Sequence, residues 1–147
     1  AEPVDIRQGL HDTLMMLAAK IRSRSAEVSL DIDDGLPSAM GVGGELNQVW
    51  MNLIDNALDA IPDRGRVTVT ATSEPPNVVV RIADNGPGIP DDVRARIFEP
   101  FFTTKGVGRG TGLGLDIVRR LLQQHEGELA VESRPGHTEF QVRLPVA

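Results

Sequence analysis

The 147-residue sequence contains no cysteine. That absence removes disulfides, thiolate zinc sites and cysteine nucleophiles together, and it fits a reducing compartment, so a cytoplasmic location is the expectation. No run of about 18 apolar residues occurs, so no segment reads as a membrane span and no membrane contact is expected of it. Basic residues are in the minority, 15 Lys and Arg against 21 Asp and Glu, for a net charge of −6. The electrostatic footprint of a nucleic-acid surface is therefore missing. Standard phosphate fingerprints are missing too. The stretch GVGRGTGLGL at 106–115 does not keep the G-x-G-x-x-G spacing and no G-K-[ST] follows it, so the P-loop and the dinucleotide turn are poor readings. Repeats and low-complexity tracts are absent, and the opening AEPVD has neither an initiator methionine nor signal-peptide character, so the chain reads as a piece of something longer.

What is present suits one domain: 40% hydrophobic residues over 147 positions support a single core and are too few for two ordinary ones. Asp5 followed by Gln8 caps a helix to about residue 24, on which Ile6, Leu10, Leu14, Leu17 and Ile21 form one stripe. Val28, Leu30 and Ile32 alternate as a strand, and residues 33–44 read as a loop. From Glu45 the apolar residues Leu46, Val49, Trp50, Leu53, Ala57, Leu58 and Ile61 recur at helical spacing until Pro62 stops them. RVTVTAT and VVVRIAD read as two strands joined through SEPPN. A short helix near DDVRARIF, a helix LGLDIVRRLLQQH ending at Gly127, and a hairpin of ELAVES and TEFQVRL complete the order. The pattern predicts an α/β chain: a two-layer α+β sandwich with a mixed sheet covered on one face by helices.

Three clusters carry chemistry. On the long helix Glu45, Gln48, Asn52, Asn56 and Asp59 project within about a quarter of the circumference, a stripe of oxygens beside the apolar face. Two asparagines one turn apart offer carbonyl oxygens to a hard cation and amide donors to phosphate; an ordinary solvated helix face has the same look. Asp84, at the end of an apolar strand and followed by Asn85, Gly86, Pro87, Gly88 and Ile89, places a carboxylate at the lip of a pocket, or else begins a plain turn. Residues 90–110 are long for a connection and read as a lid or a disordered loop, with Lys105 as the cation available to phosphate.

Taken together and in this order, NQVWMNLIDNALDA, DNGPGIP, IFEPFFTTK, GTGLGL and HTEFQVRLP resemble the N box, first glycine box, F box, second glycine box and terminal strand of the histidine-kinase catalytic and ATP-binding domain, a Bergerat-fold member of the GHKL ATPases. The resemblance covers essentially residues 5–145. It implies one ATP-binding domain over 1–147 with a mainly antiparallel five-stranded sheet, about three helices on one face and a flexible lid near 90–110. It implies ATP and Mg2+ as cofactors. Asp84 then binds the adenine amino group, with Gly86, Gly88 and Ile89 shaping the adenine pocket and Thr138 placing a hydroxyl near the base. Asn56 coordinates magnesium, and Asn52 helps hold the metal or the phosphates. Lys105 is the lid cation, and Gly110, Thr111, Gly112, Leu113, Gly114 and Leu115 meet the phosphate tail through the second glycine box. The catalytic contribution, assigned to Asn52 and Lys105, is positioning and charge neutralisation.

The resemblance further implies transfer of the γ-phosphoryl group to a histidine on a separate dimerisation domain, with a response regulator served indirectly. Two departures stand out. Asp59 occupies a place where many members carry a basic residue toward phosphate, and no acceptor-histidine box is present: His11 lies on the first helix and reads as a surface residue, His125 and His137 as solvated or capping residues at a helix end and a turn. The alternatives from other classes are an ATP-hydrolysing Bergerat ATPase, disfavoured because such members carry Glu where Asn52 stands, a free-standing anti-sigma-factor serine kinase, and a pseudokinase.

Overall fold

The computed structural model describes residues 1–100 and 114–147. A helix α1, Ile6–Met16, begins at Asp5, whose side chain accepts the Gln8 N–H at 3.2 Å. The single helix expected to residue 24 is interrupted: Leu17 takes φ −93° and ψ 5°, and a second short helix α2 runs over Ala18–Ser23. One turn before the break, the Thr13 hydroxyl bonds back to the Gly9 carbonyl at 2.8 Å, the contact by which threonine bends helices.

The long helix, α3, spans Gly43–Ala60 and buries Leu46, Val49, Trp50, Leu53, Ile54, Ala57 and Leu58. Its ridge and α1 meet so closely that a Cβ on Gly9 would stand 2.5 Å from Asn47 Oδ1. Helix α5, Gly114–Gln124, packs along the other flank of α3. A four-residue helix α4, Asp91–Arg94, follows the first glycine box.

Five strands form the main sheet: β2 (Glu27–Ile32), β4 (Arg66–Glu74), β5 (Asn77–Asp84), β6 (Glu128–Arg134) and β7 (His137–Pro145), in the order β2-β4-β5-β7-β6. The β2–β4 pair is parallel, which the α3 crossover permits, and the other pairs are antiparallel. Two three-residue strands, β1 (Glu2–Val4) ahead of the first helix and β3 (Ala39–Gly41) inside the stretch 33–44 expected to be a loop, pair with each other. Three residues are too few to show a period of two, which is why the pattern passed over them.

Alternation sets the layers. Val67, Val69, Ala71, Val78, Val80, Ile82, Phe140, Val142 and Leu144 face the helices and join Trp50, Leu53 and Leu58 in one core. The opposite face is mostly polar, with Arg81 on β5 donating to Thr72 and Glu74 on β4. Among the described residues no helix is long and apolar enough to cross a membrane.

Candidate nucleotide site

The helix-facing rows of the sheet change character at one end. On β5 the inward series Val78, Val80, Ile82 ends in Asp84, on β7 Leu144, Val142, Phe140 ends in Thr138, and on β6 Leu129, Val131 ends in Ser133. Register brings the three polar ends into one row, Asp84 opposite Thr138 and Thr138 opposite Ser133. Asp84 and Thr138 are 6% and 5% exposed, so this is polar chemistry inside the protein. Burial pushes the Asp84 carboxyl above the ordinary carboxylate range, outweighing the lowering by the Gly86 N–H and by His137.

The first glycine box wraps around that carboxylate. Gly86 N–H donates to Asp84 Oδ1 at 2.9 Å, and Asn85 Oδ1 accepts the Arg66 N–H at 2.7 Å. A Cβ on Gly86 would lie 2.7 Å from the Ala60 carbonyl oxygen at the end of α3. Gly88 takes φ +89°, and a Cβ there would lie 2.4 Å from the Arg134 carbonyl oxygen. Both glycines are thus required by the chain's own backbone, which wedges the box between α3 and the β6–β7 turn. Ile89 N–H donates to Ser133 Oγ at 2.7 Å, and Ser133 Oγ is 2.8 Å from Thr138 Oγ1. Arg94 on α4 donates to the Ser133 carbonyl at 2.9 Å, tying the start of the expected lid to the same strand.

The oxygen stripe expected along α3 is divided between two neighbours. Gln48 donates to Asn52 Oδ1 at 2.8 Å, and Asn52 Nδ2 donates to the Gly114 carbonyl at 3.1 Å, so Asn52 links α3 to the first residue of α5. A Cβ on Gly114 would stand 3.7 Å from Asn56 Nδ2 and 4.0 Å from Asn52 Nδ2, which puts both asparagines against the end of the second glycine box. Farther along, Asp59 and Asp55 each lie 2.6 Å from Lys20 Nζ on α2. Burial pulls the Lys20 ammonium down, but hydrogen bonds and charge from Asp55 and Asp59 outweigh it and raise it above the ordinary lysine value. The charge reversal at position 59 is therefore answered by a lysine from another helix. Leu115 is half-buried against the core. Lys105, Gly110, Thr111, Gly112 and Leu113 lie outside the described residues.

The histidines separate clearly. His11 is exposed on α1. His125, read from sequence as solvated or capping, has a buried side chain: Nδ1 donates to the Leu121 carbonyl at 2.8 Å and Nε2 accepts the Val42 N–H at 3.1 Å, supplying the N-terminal cap that α3 lacks on its own residues. His137, half-buried at the β6–β7 turn, bears electrostatically on Asp84. Sequence reasoning missed Ser133 and Lys20. The alternation Leu129, Val131, Ser133 carried the signal for the first; nothing in the spacing of residues 18–24 pointed Lys20 at α3.

Comparison with known proteins places this arrangement. A family model described as histidine kinase-, DNA gyrase B-, and HSP90-like ATPase matches residues 41–147. Sporulation kinase E of Bacillus subtilis is 35% identical over 147 residues, covering 99% of this chain and 20% of that protein. The chain thus spans about one fifth of the length of that relative. The catalytic domain of histidine kinase ThkA superposes with a TM-score of 0.87 at 29% identity, covering 96% of this chain and 92% of that one. Full-length ShkA in complex with AMPPNP superposes with a TM-score of 0.87 at 33% identity, covering 99% of this chain and 31% of that one. The sheet order, the helix layer and these likenesses make the architecture the Bergerat fold of histidine-kinase catalytic domains, and the chain belongs to the histidine kinase-, DNA gyrase B-, and HSP90-like ATPase family.

Proposed function

We propose that residues 1–147 form one ATP-binding catalytic unit of a sensor histidine kinase, which holds Mg·ATP between α3, the polar end of the inner sheet face and the lid expected near residues 90–110, and donates the γ-phosphoryl group to a histidine on a separate dimerisation domain of its parent. The observation that carries this reading is the buried Asp84–Thr138 pair at the end of an otherwise apolar layer, in a fold whose relative ShkA was crystallised with an ATP analogue. A carboxylate kept from water and already accepting one N–H is suited to take an exocyclic amine, and the base would lie against Ile89 and the Gly86–Gly88 backbone.

The donor set fits magnesium better than a metal held by the protein alone. Among the described residues no group of three or more His, Asp or Glu side chains gathers for a metal. The side chains nearest Gly114, at the start of α5, are the amides of Asn56 and Asn52, neutral groups that each carry one carbonyl oxygen, and Mg2+ usually keeps waters and substrate phosphates as its main ligands. Asn56 is the residue that would hold it, and the ion would supply positive charge to the triphosphate. Lys105 and the backbone of Gly110, Thr111, Gly112, Leu113, Gly114 and Leu115 are assigned to the phosphate tail. In the transfer, the bond between the γ-phosphorus and the β,γ-bridging oxygen breaks, a phosphorus–nitrogen bond forms to the acceptor imidazole, the imidazole gives up its proton, and ADP leaves. Asn52, with its amide engaged by Gln48 and Gly114, carries no carboxylate to activate water, so hydrolysis is slow.

The test is incubation with γ-labelled ATP. The chain alone yields little free phosphate and no acid-labile label, and addition of the parent's helical domain yields phosphohistidine on that domain. Acid-labile labelling of the chain alone that disappears with His11→Gln would overturn the division of labour.

A further inference from the structure

Ser133 has no part in the chemistry proposed above, yet it is half-buried at the centre of a hydrogen-bond chain that ends at Thr138, opposite Asp84. Its hydroxyl has one proton and two lone pairs. One lone pair accepts the Ile89 N–H at 2.7 Å, and the other hydrogen-bond neighbour among the described residues is Thr138 Oγ1 at 2.8 Å. Two proton arrangements satisfy that geometry. If Thr138 donates to Ser133, the serine accepts twice and its own proton is left without an acceptor among the described residues. If Ser133 donates to Thr138, the three groups run in one direction, each bond polarising the next. The Thr138 proton is then the end of the chain, beside Asp84, its partner across β5 and β7. The carboxylate's negative charge favours that second arrangement, because it draws the free proton toward itself.

We infer that Ser133 is a positioning residue for base recognition: held by the Ile89 N–H, it makes the Thr138 hydroxyl a donor next to the Asp84 acceptor, so that the row selects a purine whose ring nitrogen accepts beside an exocyclic amine that donates. Adenine presents that pair on its N1 and N6 edge. Guanine presents the reverse, a ring N–H beside a carbonyl, and meets donor with donor and acceptor with acceptor. The inference rests on the adenine-nucleotide reading above and adds to it the residue that fixes the polarity of the pocket.

Calorimetric titration of the chain with Mg·ATP, with 1-deaza-ATP, in which N1 is replaced by C–H, and with GTP reads this polarity directly. The wild type is expected to prefer ATP to 1-deaza-ATP by roughly 3–10-fold, the range of one neutral hydrogen bond. Ser133→Ala weakens ATP by a similar factor and leaves 1-deaza-ATP unchanged, so the ratio collapses toward one. Thr138→Val collapses it equally, the double variant adds nothing further, and Ser133→Thr restores the preference. Melting curves of each variant separate loss of fold from loss of discrimination. A Ser133→Ala variant that is folded and keeps the wild-type ratio overturns the role of Ser133. A wild type that binds ATP and 1-deaza-ATP equally overturns it also, while leaving the nucleotide reading standing; a wild type that binds no ATP removes both.

Discussion

Replacing Asn52 tests whether this side chain works as a link between helices before any nucleotide arrives. Its amide makes two hydrogen bonds, accepting from Gln48 at 2.8 Å and donating to the Gly114 carbonyl at 3.1 Å. A neutral hydrogen bond contributes about 0.5–1.5 kcal/mol net, and the Gln48 bond is exposed while the Gly114 bond is half-buried, so Asn52→Ala is expected to cost roughly 1–2 kcal/mol. In a domain of this size 1 kcal/mol moves the melting temperature by about 2–4 °C, which puts the expected fall at roughly 2–8 °C. Gln48→Ala removes only the exposed bond and should cost less. Asn52→Asp keeps the acceptor for Gln48 but turns a carboxylate toward the Gly114 carbonyl, so it should cost at least as much as alanine. Thermal unfolding followed by circular dichroism, without nucleotide, measures all three. An Asn52→Ala variant that melts with the wild type, or an Asn52→Asp variant that melts above it, would refute the link.

Other consequences are as direct. Gly88→Ala places a side chain at φ +89° and 2.4 Å from the Arg134 carbonyl oxygen, so it should cost more than the 1–2 kcal/mol of left-handed strain alone, read as a lower urea midpoint. Lys20→Met leaves Asp55 and Asp59 facing each other; all three groups keep contact with water, so the cost should be about 1 kcal/mol or less and should shrink in 1 M salt. Because the Lys20 ammonium titrates above its ordinary value of 10.5, its contribution is complete below that pH and is lost as pH rises through the folded-state value, so wild type and Lys20→Met should converge in strong alkali. His125→Ala strands the Val42 N–H at the start of α3 and should cost about 1–3 kcal/mol in chemical denaturation.

Most of the fold was legible because its elements are long and strongly periodic. The α3 stripe from Leu46 to Leu58 and the alternation of β4, β5 and β7 lie within a residue or two of where the pattern puts them. What escaped was too short or too distant to show a period. Strands β1 and β3 have three residues each, and the Leu17 break sits inside an unbroken apolar stripe, where spacing alone predicts continuity. At the candidate site, the motifs singled out Asp84 and Thr138, which the structure pairs across β5 and β7, whereas no motif in the sequence marks the contacts that organise them. Ser133 is forty-nine positions from Asp84 in sequence, and only the strand order β5-β7-β6 puts them in one row. Asp59 was read as a missing cation, and its partner Lys20 comes from a helix thirty-nine residues earlier.

The most direct test of the adenine-nucleotide assignment is titration of Mg·ATP into the wild type and Asp84→Asn, with the melting temperature of each measured in parallel. A hydrogen bond from an exocyclic amine to a charged acceptor contributes about 1.5–3 kcal/mol, so the variant should bind ATP roughly 10–150-fold more weakly. Its fold should not suffer. Burial holds the Asp84 carboxyl above its ordinary value of 3.8, so keeping it ionised at neutral pH opposes folding, and a neutral amide that still accepts the Gly86 N–H removes that opposition. The expected result is therefore a variant that melts at or above the wild-type temperature and has lost most of its affinity for ATP. A stable Asp84→Asn chain that binds Mg·ATP as tightly as the wild type would contradict the account.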